Sequence, residues 1–498
     1  MLLTALSLAL ASAPPGLPAT VRPPCGTPSV LPSLGPAPRL PVAPPSPSSE
    51  KEARDAYGSL PNTLAGENFV IKWGSRGGVA ENDVEALLDA FEFAWTEEIE
   101  GLDFPAPGGT DRFLFNVYIG DTGDGAPDGY GTSGYYNRDS QGYPMIVVSA
   151  ATLEDRSWAK GTAAHEFFHA VQDATGRFGY EGDSAWYWEA TAMWIEGEVL
   201  ENYDEYVVFL YGYALLPHLP VYFFDYPDTG ALQEYHQYGA MIFPRYVSEI
   251  AADADLVRDS WVLDLGADTP QDALTELLAD RGIAFADAFG DFAARNATWD
   301  YADGDLYTEW VNWYAAYFRG EDHRVVDTLG IDGTDGLVDA PEGTLPQRYG
   351  YNVVTLERTD TADYVVSVEV AEEGSRGSEA DWRVTVVQEL AGGPRYTLVP
   401  ITDGVGEVRI AGTDGAALHL IAAAVPEDAR SDESFAWSYA ISAEVPAEPD
   451  DTGTDRPVAE TPDDTVEVGG GCGCGTGGSA WLGGALLGVA LVAARRRR

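Results

Sequence analysis

The sequence of 498 residues predicts an α+β fold with two folded regions. From about residue 68 to residue 316, strand patterns are followed by helical patterns whose apolar residues recur every three or four positions. From residue 351, seven short segments alternate apolar and polar residues between turn signals, which is typical of a β-sandwich of roughly 100 residues. A chain this long exceeds what one hydrophobic core usually supports, so two folded regions are expected.

Changes in composition divide the chain into six predicted segments. They are a signal peptide (1–20), a proline-rich leader or propeptide (21–60), a mixed α+β domain (61–345), a β-sandwich domain (346–445), an acidic linker (446–470) and a C-terminal tail (471–498).

The charge balance excludes one class of partner. The chain has 80 acidic and 29 basic residues, which gives a formal net charge of −51. Nucleic acid is therefore excluded as a partner, because phosphate contacts require Lys and Arg. The three cysteines lie outside the segments predicted to fold, so no disulfide framework is expected.

Both ends of the chain carry targeting patterns. Met1–Ala13 is a short apolar run that ends in small residues, as a secretory signal does. At the other end, a Gly/Cys stretch precedes an apolar run, Ala480–Ala494, and four arginines. This end resembles the myxobacterial C-terminal sorting tail (MYXO-CTERM). The resemblance implies surface display or release, with Cys472 or Cys474 as the processing or lipid-attachment point and with membrane contact before processing. An ordinary C-terminal membrane anchor is the alternative.

The predicted α+β domain begins with the strand "NFVIKW" at Asn68. A helix with one apolar face follows, and Asn82 with Glu85 predicts a capping box at its start. The strand patterns "RFLFNVYI" and "YPMIVVSA" come next, the second as the candidate edge strand, and then a helix that contains two histidines. Mostly helical patterns continue to about residue 316.

The histidine-containing helix carries "HEFFH". Residues four apart lie on one face of a helix, so His165 and His169 can direct two imidazole nitrogens at one metal ion. Glu166 is then placed to reach a water on that metal. A catalytic zinc ion usually has three protein ligands, and the next helix offers Glu189 within an apolar run, where an unpaired carboxylate would be costly.

The HExxH sequence followed after nineteen residues by Glu resembles the thermolysin- and aminopeptidase-like gluzincin metallopeptidases. The resemblance implies a zincin-like domain made of a small mixed sheet with helices and a helical second lobe. It implies that His165, His169 and Glu189 bind Zn²⁺ and that Glu166 is the general base. In the same clan a second glutamate follows the ligand by seven residues. Glu196 has that place here and would orient a histidine.

Two positions depart from these families. Met193 stands where thermolysin-type enzymes have an Asp. The stretch Gly142–Ile146, compared with the strand that holds the substrate amine in the aminopeptidases, has no acidic residue. Exopeptidase activity is therefore disfavoured, and endopeptidase activity is expected.

Zinc hydrolysis also needs a donor that stabilises the oxyanion. The gluzincin aminopeptidases have a tyrosine three residues before a glycine in this role. Here His236 has that position before Gly239, and Tyr238 lies beside it. His236 is the first candidate and Tyr238 the second, with plain packing roles as the alternative.

Cys25 lies in "RPPCGTPS", which resembles the cysteine-switch segment of matrix metallopeptidase propeptides. The resemblance implies that a Cys25 thiolate occupies the open zinc position and keeps the enzyme inactive. A free cysteine in an extended leader is the alternative.

The loop "GDTGDGAPDG" offers the oxygen ligands Asp121, Asp124 and Asp128 for Ca²⁺. It lacks the EF-hand spacing, and a solvated glycine-rich turn is the alternative.

These observations predict an exported zinc endopeptidase, on the cell surface or extracellular, that acts on protein or peptide substrates. The alternative is a non-catalytic surface-binding or adhesion protein in which the zinc site is structural.

Overall fold

A computed structural model describes residues 22–30, 51–55, 57–226, 232–357, 362–412 and 417–444. The predicted signal peptide, acidic linker and C-terminal tail lie outside these residues, as do Cys472 and Cys474.

The first sheet has five strands in the order β1-β2-β3-β5-β4. These strands are β1 (Asn62–Ala65), β2 (Phe69–Trp73), β3 (Phe115–Gly120), β4 (Gly134–Arg138) and β5 (Pro144–Ser149). Strands β2, β3 and β5 are parallel, and β1 and β4 pair antiparallel at the two edges. The strand that was expected at the edge, β5, is therefore an inner strand, and β4 forms the edge.

The described residues contain eleven α-helices in addition to short 3₁₀ and π segments. The helices are α1 (Thr27–Val30), α2 (Glu81–Trp95), α3 (Arg156–Thr175), α4 (Ala185–Val199), α5 (Leu210–Ala214), α6 (His236–Gly239), α7 (Ile242–Tyr246), α8 (Ala254–Val262), α9 (Pro270–Ala279), α10 (Phe285–Asn296) and α11 (Gly304–Tyr317).

Helix α2 buries the apolar face that its sequence predicts, but the capping box was wrong. The helix begins at Glu81, two residues earlier than the prediction requires, after Ala80 in extended conformation. Asn82 therefore lies inside the first turn, and no side chain caps the helix.

Helices α3 and α4 pack against each other, and α3 also contacts β4 and β5 of the first sheet. The Asp155 side chain starts α3 by accepting hydrogen bonds from the backbone N–H groups of Ser157 and Trp158. Gly176 ends the helix in the left-handed region at φ 60°. Almost every residue of α4 is buried, so its acidic residues require partners inside the protein.

All seven predicted strands of the second region are present, within two five-stranded sheets. The first has the order β11-β10-β14-β8-β6 and the second β12-β13-β9-β15-β7. The strands are β6 (Asp327–Leu329), β7 (Val338–Asp339), β8 (Gly350–Leu356), β9 (Tyr364–Val370), β10 (Trp382–Gln388), β11 (Arg395–Leu398), β12 (Ile401–Thr402), β13 (Val405–Ile410), β14 (Leu418–Ala424) and β15 (Trp437–Ala443). Strands β6 and β7 precede residue 346, where the domain was expected to begin.

The sheet that contains β8 is buried on both faces. Because successive strand residues point to opposite sides, Val354 and Leu356 face the core between the two sheets. Tyr351 and Val353 face the core that is shared with the helices. The two folded regions therefore belong to one compact unit.

The α+β class is confirmed by this arrangement of helices and sheets. No helix in the described part of the chain is long and apolar enough to cross a membrane.

Candidate metal centre

Four buried side chains bring candidate metal-ligand atoms within 4.8 Å of one another: Cys25, His165, His169 and Glu189. His165 Nε2 lies 3.3 Å from Glu189 Oε2, and His169 Nε2 lies 3.6 Å from Glu189 Oε1. Cys25 Sγ lies 3.6 Å from His169 Nε2. Helices α3 and α4 supply three of these residues, and the leader supplies the fourth.

Three of the distances between these side chains are close to the edges of a tetrahedron around zinc. Zinc–nitrogen and zinc–oxygen bonds of about 2.0–2.1 Å imply edges of about 3.3–3.4 Å, and a zinc–sulfur bond of about 2.3 Å lengthens an edge to about 3.6 Å. The His165–Glu189 distance of 3.3 Å and the Cys25–His169 distance of 3.6 Å agree with these values, and the His169–Glu189 distance of 3.6 Å is slightly longer than a nitrogen–oxygen edge. The cluster could therefore hold a metal ion.

The hydrogen bonds of the two imidazoles leave their Nε2 atoms free for a metal. Gln172 Nε2 donates to Trp188 O and to Thr191 Oγ1, which directs Gln172 Oε1 at His169 Nδ1, 2.7 Å away. His169 Nδ1–H is therefore the donor in this contact, and Nε2 carries the lone pair.

His165 has the same arrangement with a different acceptor. Its Nδ1 lies 3.0 Å from Glu196 Oε1, so the sequence-predicted Glu196 contacts the histidine that it was expected to orient. When both imidazoles are neutral, two Nε2 lone pairs and the Glu189 carboxylate converge, and within the four-residue cluster only the Cys25 thiol can donate a hydrogen bond. Such a set of acceptors needs a cation.

The pKa values show the same need for positive charge. Burial alone would lower the pKa of His165, but hydrogen bonds to Glu189 and Glu196 outweigh it and raise the pKa to about 9. Burial alone would raise the pKa of Glu189, but the charge of His169 and the hydrogen bonds of both histidines hold it down at about 2. Without a metal, a proton supplies the positive charge that the carboxylates require.

Tyr180, which no sequence pattern indicates, contacts the third candidate ligand, Glu189. Its hydroxyl donates to Glu189 Oε1 at 2.6 Å. Hydrogen bonds of this kind orient a ligand and usually affect metal affinity.

Glu166 is buried beside the cluster, and only one of its two carboxylate oxygens accepts a hydrogen bond from a described residue. Its Oε2 accepts a hydrogen bond from Thr27 Oγ1 at 3.0 Å. Its Oε1 has no hydrogen-bond partner among the described residues. A buried carboxylate oxygen without a partner is the atom that a general base would use for water.

Tyr238, and not His236, lies at the cluster. The Tyr238 hydroxyl donates to the backbone oxygen of Cys25 at 3.2 Å, and its ring centroid is 6.5 Å from that of His165. The His236 ring packs on Tyr213 and Phe223, and burial lowers its pKa to about 3. Residues two apart on a helix point in nearly opposite directions, so α6 can present only one of the two to the site.

Cys25 is only 3% exposed. Burial, together with the nearby carboxylates of Glu166 and Glu189, raises the pKa of its thiol well above the ordinary value. The backbone N–H of Thr27 donates to Cys25 Sγ at 3.2 Å. A metal ion at the cluster would reverse the effect of the carboxylates and favour the thiolate.

Two further leader residues contact the centre. Arg22 forms a buried ion pair with Glu196 at 2.6 Å, and Thr27 contacts Glu166. No local sequence pattern indicates either contact, because the partners are more than 130 residues away along the chain. Gln172 had a detectable signal, since it follows His169 by one helical turn.

The acidic loop does not gather its carboxylates into a site. Asp124 Oδ2 accepts from Ser75 N at 2.6 Å, and Asp128 Oδ1 accepts from Tyr130 N at 2.7 Å. Among the described residues, the group of candidate metal ligands includes no residue of this loop. The loop has the hydrogen bonds of a turn, and the geometry gives no basis for the expected Ca²⁺ site.

A family model with the description "Family of unknown function (DUF6055)" matches residues 43–442. The chain belongs to the DUF6055 family. The DUF6055 match includes His165, Glu166, His169 and Glu189 and begins after Cys25. No curated protein matches the chain.

Two solved structures show weak similarity to this DUF6055 chain. One is the pre-peptidase C-terminal domain of a collagenase from Bacillus anthracis, at 11% identity and a TM-score of 0.16, covering 23% of this chain and 92% of that domain. The other is a family GH115 4-O-methyl-α-glucuronidase with specificity for decorated arabinogalactans, at 9% identity and a TM-score of 0.14. That match covers 59% of this chain and 39% of the glucuronidase.

Proposed function

We propose that this DUF6055 protein is a zinc-dependent endopeptidase with a zincin-like catalytic region. The observation that carries the proposal is the convergence of His165 Nε2, His169 Nε2 and the Glu189 carboxylate, with the unpartnered Glu166 Oε1 on the same helix as the histidines.

The three protein ligands would hold the ion through two nitrogens and one carboxylate, a donor set suited to zinc. Zinc bound there would supply an activated water and polarise the carbonyl of a bound peptide. Glu196, Gln172 and Tyr180 keep the ligands oriented through the hydrogen bonds described above.

Two side chains of the protein carry the proton and charge movements. Glu166 Oε1 accepts a proton from the attacking water and returns it to the leaving nitrogen. Tyr238 stabilises the charge that develops on the carbonyl oxygen. Its hydroxyl already donates to a peptide carbonyl in this structure, that of Cys25, which supports this assignment.

The composition of the edge strand β4 favours endopeptidase over exopeptidase activity. A Cβ added at Gly134 of β4 would lie 3.2 Å from Glu166 Cγ, so β4 runs directly beside the general base. The sequence of β4 is GYYNR and contains no acidic residue that could hold a substrate amine. The endopeptidase proposal therefore rests on the strand that is beside the centre and not only on Gly142–Ile146.

The proposed location of the enzyme is the cell surface or the extracellular space, with protein or peptide substrates. This part of the proposal is supported by the sequence patterns at the two ends of the chain, both of which lie outside the described residues.

The test combines metal analysis with hydrolysis of casein by a Cys25→Ala variant and by the double variant Cys25→Ala/Glu166→Gln. We expect one zinc per chain in both proteins and hydrolysis only by the first. The proposal fails if zinc is absent, or if the loss of Glu166 leaves hydrolysis unchanged.

A specific observation favours a second candidate function. Cys25 completes a set of four ligands, and structural zinc sites are closed in this way, whereas catalytic sites keep one position open. In this alternative the protein is a non-catalytic surface-binding protein. It predicts that Cys25→Ala loses zinc and gains no hydrolysis.

A further inference from the structure

The leader segment, defined as residues Arg22–Val30, reaches every chemically important group of the candidate centre. Arg22 pairs with Glu196, which contacts His165. Cys25 Sγ joins the three candidate ligands, and Thr27 Oγ1 donates to Glu166.

The backbone of the leader segment also adds to the edge of the first sheet. Ser133 N donates to Pro24 O at 3.2 Å, and Gly26 N donates to Gly134 O at 2.8 Å. Residue numbers rise in the same direction along the leader segment and along β4, so the two segments are parallel. The leader segment therefore occupies the edge at which an extended peptide could otherwise pair beside Glu166.

The fit at Gly26 is close. A Cβ at this position would lie 2.7 Å from Thr132 Oγ1, which is too short for an ordinary contact. A larger residue would require the Thr132 side chain to move, so glycine allows the leader backbone to lie this close to the residues that precede β4.

We infer that the leader segment is an intramolecular inhibitor, which donates the Cys25 thiolate as the fourth metal ligand and keeps the centre latent until the segment leaves. This inference rests on the proposed function, because latency requires an activity to suppress.

The contacts explain why the leader segment is not itself a substrate in this position. Sulfur occupies the place that the attacking water needs, and Thr27 occupies one oxygen of the base. Tyr238 donates to Cys25 O, and the sulfur of the same residue fills the metal position from which a water would attack that carbonyl.

When the Cys25 thiol binds the metal, the sulfur–hydrogen bond breaks, a metal–sulfur bond forms and one proton is released. A divalent ion takes the sulfur as thiolate, and the thiol proton goes to solvent. Departure of the segment returns that proton to sulfur, and a water enters the vacated position.

The test uses the full chain with Cys472→Ser and Cys474→Ser, so that Cys25 is the only thiol. The protein is loaded with Co²⁺, which shows a sulfur-to-cobalt charge-transfer band in the near ultraviolet when a thiolate is bound. We expect the band in this single-thiol protein and in the wild type, and its loss when Cys25→Ala is added. Bound cobalt is measured in each protein by dialysis.

Hydrolysis of casein by the zinc-loaded proteins is the second readout. We expect Cys25→Ala to raise the rate at least about tenfold, which corresponds to about 1.4 kcal/mol of lost inhibition. An organic mercurial should activate the single-thiol protein and leave the Cys25→Ala protein unchanged. The mercurial experiment decides the question if Cys25→Ala does not fold.

Two results overturn the inference without touching the proposed function. One is a cobalt band that is absent from the single-thiol protein or unchanged by Cys25→Ala. The other is a single-thiol protein that hydrolyses casein as fast as the Cys25→Ala protein. If the band depends on Cys25 and no protein hydrolyses casein, the latency and the proposed hydrolase both fail, and a structural site remains.

Discussion

Arg22 Nη2 lies 2.6 Å from Glu196 Oε1, and both side chains are buried. The same carboxylate oxygen is 3.0 Å from His165 Nδ1. Glu196 therefore links the anchor of the leader segment to a candidate metal ligand.

We expect Glu196→Gln to lower zinc affinity by about 10–100-fold, the usual range for a partner that orients a ligand. The amide oxygen can still accept from His165, but it lacks the charge that balances Arg22 and increases the basicity of the imidazole. Competition with a chromophoric chelator measures the affinity. Glu198→Gln is the matched control, because Glu198 is on the same helix and pairs with Arg245. Equal affinities in the two variants would contradict the role of Glu196.

Tyr180→Phe should also weaken zinc binding by about 10–100-fold, because it removes the hydroxyl that donates to Glu189. Tyr187→Phe is the control, since this hydroxyl is also buried but contacts Ser260, 3.0 Å away, and not a candidate ligand. The same competition experiment applies to both. If Tyr187→Phe has the larger effect, the hydrogen bond to Glu189 does not hold the ligand.

The two candidates for oxyanion stabilisation can be separated by activity. In a Cys25→Ala background, Tyr238→Phe should lower kcat by about 10²–10³-fold, the range seen when such a donor is removed. His236→Phe should leave kcat unchanged, because His236 packs among aromatic rings away from the cluster. Steady-state kinetics on a peptide substrate gives both values. If His236→Phe lowers kcat strongly and Tyr238→Phe does not, His236 is the oxyanion-stabilising residue, as the sequence first predicted.

Glu98 predicts a pH-dependent change in stability that does not involve the metal centre. It is buried in the π segment Thr96–Gly101, its two carboxylate oxygens lack partners among the described residues, and burial raises its pKa well above 4.5. Above pH 4.5 the unfolded chain releases a proton that the folded protein retains. The free energy of unfolding therefore falls with pH by about 1.4 kcal/mol per unit until the folded pKa is reached.

Glu98→Gln removes this titration, so its stability relative to the wild type should rise as the pH increases above 4.5. Urea unfolding at several pH values measures the difference. Glu100→Gln, an exposed neighbour, should show no such trend. A difference that stays constant with pH would mean that Glu98 is ionised in the folded protein.

Local sequence patterns were sufficient for the α+β class and for the pairing of candidate ligands on two helices. His165 and His169 are one helical turn apart, and Glu189 is a carboxylate in an apolar helix. Both signals are contained within a few residues, which is the range over which helical periodicity can be recognised.

Other features were missed because no local pattern encodes them. Strand β4 carries buried aromatic residues at adjacent positions, Tyr135 and Tyr136, and so lacks the alternation of a half-buried strand. The contacts of Arg22 and Thr27 depend on where the fold brings the leader segment. The choice between His236 and Tyr238 depends on the rotation of the four-residue helix α6, which so short a segment does not specify.

The early position of β6 and β7 affects any attempt to prepare the helical half alone. A cut at residue 345 would remove β6 from one sheet of the sandwich and β7 from the other. It would also uncover the helices that pack on Tyr351 and Val353, and a large apolar surface would face water. Truncation at that point should therefore yield insoluble protein.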